Sequence, residues 1–192
     1  SFDGVTEIVD SNLSYPNSAY IGMVLSAENL GSIPTRTFDL KLKKVKVPSN
    51  YEDLGEGPDG PIRENRHVGT WNGTFKSELE WTDNPAWILY DLITNDRYGL
   101  GEHIEEIKID KFQLYKIAKI CDELVSTSKA GQSQKFVQER RYTCNLYLEN
   151  QMDAYKAINE IASVFRGIAY FNSSEIFISQ NNLKESIFSF TN

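Results

Sequence analysis

The sequence predicts an α+β fold of antiparallel strands and three helices. Three segments carry apolar residues at helical spacing with readable ends, and several others alternate apolar and polar residues as strands do. The third helical segment also sits among strand-like pieces, in a strand-helix-strand-strand order that ends in a hairpin.

The first fifteen residues are polar and weakly patterned, and residues 19–25 suit a strand. Residues 37–47 read as a longer strand. Phe38, Leu40 and Leu42 alternate with polar residues, then the apolar phase slips to Val45 and Val47 across Lys43-Lys44. Such a slip predicts a β-bulge, with the lysines on a solvated face or guarding an edge. Residues 51–70 read as a long loop punctuated by Gly55, Gly57, Pro58, Gly60, Pro61 and Gly69. A structureless stretch of that length inside a domain points to function, to ordering by a partner, or to disorder.

Asn84-Pro85 predicts a helix start, an N-cap followed by proline at the first helical position. That helix carries Trp87, Ile88, Leu89, Leu92 and Ile93 and stops near Tyr98-Gly99. A second helix opens at Asp110, with Gln113 completing a capping-box-like pair, and presents Phe112, Tyr115, Ile117, Cys121, Leu124 and Val125. Residues 126–134 break its pattern. The third helix starts at Asn150. Ala154, Ile158, Ile161 and Phe165 form a single-face stripe, and Gly167 suits the left-handed residue that ends it. Residues 142–148 form the strand before this helix, 168–171 and 175–179 the hairpin after it, and 187–190 a final strand. There is no internal repeat.

The chain of 192 residues fits one large domain or two small ones. At that length it can bury roughly 70% of its unfolded surface and needs no disulfide or metal to fold. Hydrophobic residues at 40% and charged residues at 24% give a globular composition. Lys+Arg 20 against Asp+Glu 27 leaves a net charge of −7, which argues against general affinity for nucleic acid or anionic membrane. No apolar run approaches the ~20 residues of a membrane span. No signal peptide or initiator Met opens the sequence, which reads as a module cut from a longer chain. Cys121 and Cys144 read as buried free thiols in a reducing compartment.

Little in the sequence serves catalysis, and no catalytic, cofactor-binding or metal residue is assigned. His67 and His103 lack a second ligand at metal spacing and read as surface histidines. No nucleophile elbow, Walker loop or dinucleotide fingerprint occurs. Gly99-Leu100-Gly101 follows a helix and reads as its stop. The acidic pairs Asp91/Asp96, Glu78/Glu80 and Glu105/Glu106 read as solvated surface. Glu52, Asp53, Glu56 and Asp59 lack the spacing of a calcium loop. The candidate interaction residues are Trp71, Phe75 and Trp81, with Trp71 and Phe75 anchoring a turn through Asn72-Gly73-Thr74 and Trp87 placed in the core.

An ordered set of motifs is more specific. Gly31-Ser32-Ile33-Pro34-Thr35 precedes the strand to Val45-Lys46-Val47-Pro48-Ser49-Asn50-Tyr51. Trp71-Asn72-Gly73-Thr74-Phe75-Lys76, Asn84-Pro85-Ala86-Trp87, Asp91-Leu92 and Arg97-Tyr98-Gly99-Leu100-Gly101 follow in order. Asp110-Lys111, Leu114-Tyr115, Cys121-Asp122, Tyr142-Thr143-Cys144-Asn145 and Phe165-Arg166-Gly167 complete the set. From about residue 20 to 180 this pattern resembles the central tail-tip, or host-specificity, protein of lambda-like siphophages, a family similar to baseplate hubs. The chain departs from that family in a longer polar segment at 126–140 and an extended loop after Tyr51.

The resemblance implies a virion structural protein, not an enzyme, with no cofactor. It implies a homotrimeric ring at the distal tail tip, made in the bacterial cytoplasm and supporting host attachment and DNA delivery. Other tail-tip and tail-tube proteins would be its partners, the host receptor would be met by regions outside this sequence, and no specific nucleic-acid binding is expected. It further implies that residues 1–50 belong to a β-rich, barrel-like hub domain. Residues 51–80 would be a loop and extended connection, 81–180 the α+β hub domain, and 181–192 a strand returning to the β-rich part. Two other readings stand beside it: a receptor- or glycan-binding module using Trp71, Trp81 and the glycine-rich loop, and a glycan hydrolase using two carboxylates.

Overall fold

In the computed structural model, residues 18–22, 35–52, 66–103, 109–127, 137–147, 154–172 and 175–182 are described. In chain order the elements are β1 (Lys44–Val45), β2 (Glu80–Trp81), α1 (Pro85–Thr94), α2 (Lys111–Asp122), β3 (Leu124–Thr127), β4 (Val137–Arg140), α3 (Ala154–Val164), β5 (Gly167–Asn172) and β6 (Glu175–Gln180). The strands pair as three antiparallel ribbons, β1-β2, β3-β4 and β5-β6. Three helices and small antiparallel sheets make an α+β fold, and among the described residues no sheet closes into a barrel.

The chain divides into two compact units, Ser1–Leu40 and Lys41–Asn192. The described residues of the first, 18–22 and 35–40, carry no helix or strand. The second holds every element and one hydrophobic core.

That core forms around α1. Asn84 caps the helix by accepting from the Ala86 amide at 3.0 Å, and its own amide group donates to the Ala118 carbonyl at 2.9 Å, pinning α1 to α2. Pro85 to Ile93 is buried almost all round, the pattern of a central helix. The helix ends at Thr94 with Asn95 as its C-cap, earlier than the predicted stop near Tyr98-Gly99, and beyond it Gly99 N–H and Leu100 N–H return to the carbonyls of Asn95 and Leu92. A Cβ on Gly99 would sit 2.0 Å from the Leu92 oxygen, so only glycine fits.

The other two helices cover α1 with one face each. Asp110 caps α2 through the Gln113 amide at 2.9 Å, and Leu114, Ile117, Ala118, Cys121 and Asp122 turn inward. Phe112, predicted on the apolar face, lies half exposed. α3 buries Ala157, Ile158, Ile161 and Ala162, and Phe165 is buried just beyond it. Its predicted start at Asn150 lies outside the described residues. β5 and β6 pair in full register from Gly167↔Gln180 to Asn172↔Glu175.

Several expectations need correction. Of the strand at 37–47, only Lys44–Val45 is laddered, against Glu80–Trp81. The phase slip there is no bulge. It marks where the chain passes from exposed Phe38, Leu40 and Leu42 into the core at Val45 and Val47. Residues 142–147 form no ladder, because the Cys144 and Tyr142 amides donate to the Asp83 and Cys121 carbonyls. The strand-helix-strand-strand unit is therefore a helix and hairpin preceded by an irregular segment. β3 and β4 form a ribbon that the polar character of residues 126–140 hid, with Leu124 paired to Arg140 and Thr127 to Val137. The left-handed residue after α3 is Arg166, at φ 57°. Gly167 is needed for space, since a Cβ there would meet the Phe165 ring at 2.2 Å. The predicted strand at 187–190 lies outside the described residues, as does the predicted strand at 19–25 beyond Gly22.

Candidate functional site

The most elaborate constellation of side chains lies at the base of the glycine-rich loop. The two legs of that loop, around Tyr51 and His67, pair across an antiparallel bridge, flanked by hydrogen bonds from Glu52 N–H to Arg66 and from Val68 N–H to Asn50. Their side chains point inward. Arg66 Nη1 donates to the Asp83 carboxylate, to Tyr51 Oη at 3.1 Å and, more weakly, to Asp122 Oδ1 at 3.5 Å. Tyr51 Oη and Thr82 Oγ1 share a hydrogen bond of 2.6 Å. Arg140 reaches in from β4 to the Asp122 carbonyl at 2.8 Å.

His67 completes this clasp. The Trp87 indole N–H donates to its Nε2 at 3.1 Å, so that nitrogen is an acceptor and the imidazole proton sits on Nδ1. Nδ1 lies 3.3 Å from Asp122 Oδ2. Burial pushes the imidazole down to about 3, aided by the cations Lys119, Arg66 and Arg140. Burial pushes Asp122 up to about 6, opposed chiefly by Arg66 and Arg140. It also raises the Tyr51 hydroxyl. A histidine beside a carboxylate has the outline of a base dyad. A general base must reach a substrate proton, and here Nε2 is occupied by an indole and the ring is 1% exposed. The chemistry of this site is fixation: it holds both legs of the loop to α1, α2 and β4.

The aromatic candidates divide. Trp71 and Phe75 meet edge to face at 5.4 Å. Trp71 stacks on Tyr115 at 4.9 Å and Phe75 on Tyr90 at 4.9 Å. The turn between them is set by Gly73 at φ 89° and by Asn72 Oδ1 accepting from the Thr74 amide at 3.0 Å. Trp71 is buried and Phe75 half-buried, so this pair forms a core wall. Trp81 stands apart on β2 and is partly exposed, with the Lys41 ammonium 4.5 Å from its ring centroid. It lines an open depression of about 430 Å³ with Lys44, Glu52, Lys76 and Glu80, where Lys76 and Glu80 pair at 2.8 Å.

The remaining candidates are placed as follows. His67, read as a surface residue, is buried; His103 is exposed. Asp91 is also buried rather than solvated: it accepts from the Tyr98 hydroxyl, and burial raises its carboxyl. Asp96 is exposed. Glu105, Glu106, Asp53, Glu56 and Asp59 lie outside the described residues. Among the described residues no group of three or more His, Cys, Asp or Glu is placed to hold a metal. Cys121 and Cys144 are buried free thiols, and burial raises both. The clasp itself escaped the reading of the sequence. Its one legible sign was Asp122, a charge at the inward end of the stripe Leu114, Ala118, Cys121.

The chain is similar to two phage proteins, each named tip attachment protein J. It is 37% identical to that of Escherichia phage SECphi27 over 187 residues, covering 97% of this chain and 14% of the relative. It is 32% identical to that of Escherichia phage SECphi4 over 169 residues, covering 88% of this chain and 13% of the relative. The chain thus spans about one seventh of the length of these relatives. No protein-family model matches it.

Proposed function

We propose that this chain is a structural module of a phage or prophage tail-tip attachment protein. The observation that carries the reading is similarity to tip attachment proteins along 97% of the chain, against one short stretch of a much longer relative. In the finer form of the proposal, three copies build a hub ring at the distal end of the tail. That ring supports host attachment and DNA delivery, the receptor is met by other regions of the same protein, and the module performs no catalysis. The buried clasp supports the reading, because its titratable groups are spent on holding chain segments together. The test is labelling of intact virions with an antibody raised against this chain: label confined to the distal tail end is expected, and label along the tube or on the head would contradict it.

A receptor- or glycan-binding role is the second reading, favoured by the partly exposed Trp81 on its depression. It requires that Trp81→Ala abolish adsorption of the phage to its host. A variant that adsorbs normally would exclude it.

A further inference from the structure

We propose that the edge of β5 opposite β6 accepts residues 37–42 of a second copy of this chain, added as a third strand to the β5-β6 ribbon. The inference deepens the ring reading and rests on it only for closure of the assembly.

Among the described residues β5 is laddered only to β6, and β6 already carries the parallel bridge Ile109↔Ile176 on its far side. The ribbon can therefore grow at β5. Its sequence, Gly-Ile-Ala-Tyr-Phe-Asn, has none of the lysines, prolines or inward charges that guard exposed edges. Ile168 is 65% and Tyr170 47% exposed on the outer face, where Tyr170 stacks on Phe177 across the ribbon at 5.4 Å. Phe171, 50% exposed, lies 6.0 Å from Tyr155 of α3. Apolar surface thus wraps both sides of an unguarded edge, a pattern that marks an interaction site.

The donor is a strand pattern without a sheet. Residues 37–42 read Thr-Phe-Asp-Leu-Lys-Leu, a two-residue alternation. Phe38, Leu40 and Leu42 are exposed, and residues 37–40 and 42 ladder with no described residue. Its apolar side recurs at the period of Ile168 and Tyr170, so an added strand extends the outer face of the ribbon and buries both sets together. Donor and acceptor are different patches. The contact is therefore head-to-tail and forms a ring when the rotation closes.

The test is sedimentation of the 192-residue chain and two charge variants, Leu40→Lys for the donor and Tyr170→Lys for the acceptor, with Ile168→Lys as a second acceptor variant. The sites are exposed, so circular dichroism and melting should match the wild type. Wild type is expected to associate with rising concentration, and each variant alone to weaken association roughly tenfold or more. An equimolar mixture of donor and acceptor variants retains one intact contact and should recover dimers but nothing larger. The proposal would be overturned by a mixture that fails to recover dimers, by only one of the donor and acceptor variants losing association, or by a wild-type chain monomeric at every concentration. Wild-type association undisturbed by either substitution would remove this interface and leave the ring reading standing. Counting copies in the tail tip decides that reading separately.

Discussion

Arg66 carries the positive end of the clasp, and its loss gives the clearest residue-scale expectation. Arg66→Ala leaves Asp83 and Asp122 facing each other's neighbourhood with one fewer cation, in a site where burial already raises Asp122. Removing one partner of a buried ionic group costs about 3–5 kcal/mol. Urea unfolding should show a loss of that size, and a loss under about 1 kcal/mol would mean the network is solvated. The pH dependence has a sign set by two opposed groups. His67 is depressed from 6.5 to about 3, so its contribution is complete above pH 6.5 and is lost as pH falls toward 3. Asp122 is raised from 3.8 to about 6, so its contribution is complete below pH 3.8 and is lost as pH rises through 6. The slopes nearly cancel between 3.8 and 6, and His67 spans the wider window. In His67→Gln only the Asp122 slope remains. The stability advantage of wild type over this variant should therefore shrink steadily from pH 6.5 to 3, by as much as about 5 kcal/mol. An advantage independent of pH would contradict a buried neutral imidazole.

At the scale of elements, the end of α3 separates two roles that glycine can play. The left-handed conformation falls on Arg166, whereas Gly167 has the Phe165 ring where a Cβ would stand. Gly167→Ala should cost about 1–3 kcal/mol through overpacking, and Arg166→Gly should be neutral or slightly stabilising because it relieves a left-handed side chain. Thermal melting of the two variants checks this, and equal effects would reject the assignment. The same region shows what the sequence makes legible. Helix starts at Asn84-Pro85 and Asp110 and the β5-β6 hairpin were readable because each depends on neighbours a few residues apart. The strand at 142–148 was misread because its amides are taken by Asp83 and Cys121, which no local pattern announces. The clasp was invisible for the same reason: Tyr51, Arg66, Thr82, Asp122 and Arg140 come from five separated stretches. Trp71 and Phe75 were rightly paired as turn anchors, but only the packing of Tyr115 and Tyr90 against them reveals a core wall.

For the whole molecule, the fold has two kinds of surface. Around the loop base, charge is balanced and buried, with Arg66 and Arg140 against Asp83 and Asp122. Along β5 and at Phe38, Leu40 and Leu42, apolar side chains face outward in numbers that an isolated subunit gains nothing from exposing. Both features suit a module that is rigid within and contacts copies or neighbours without. The net charge of −7 favours solubility. The stretch that this chain matches is about one seventh of the length of each tip attachment protein. The most direct measurement is a density map of the intact tail tip of a phage that carries this chain. Three copies of the α1–α3 core, related by a threefold axis at the distal end of the tail, are the expected result. A single copy, or copies outside the tail tip, would contradict it.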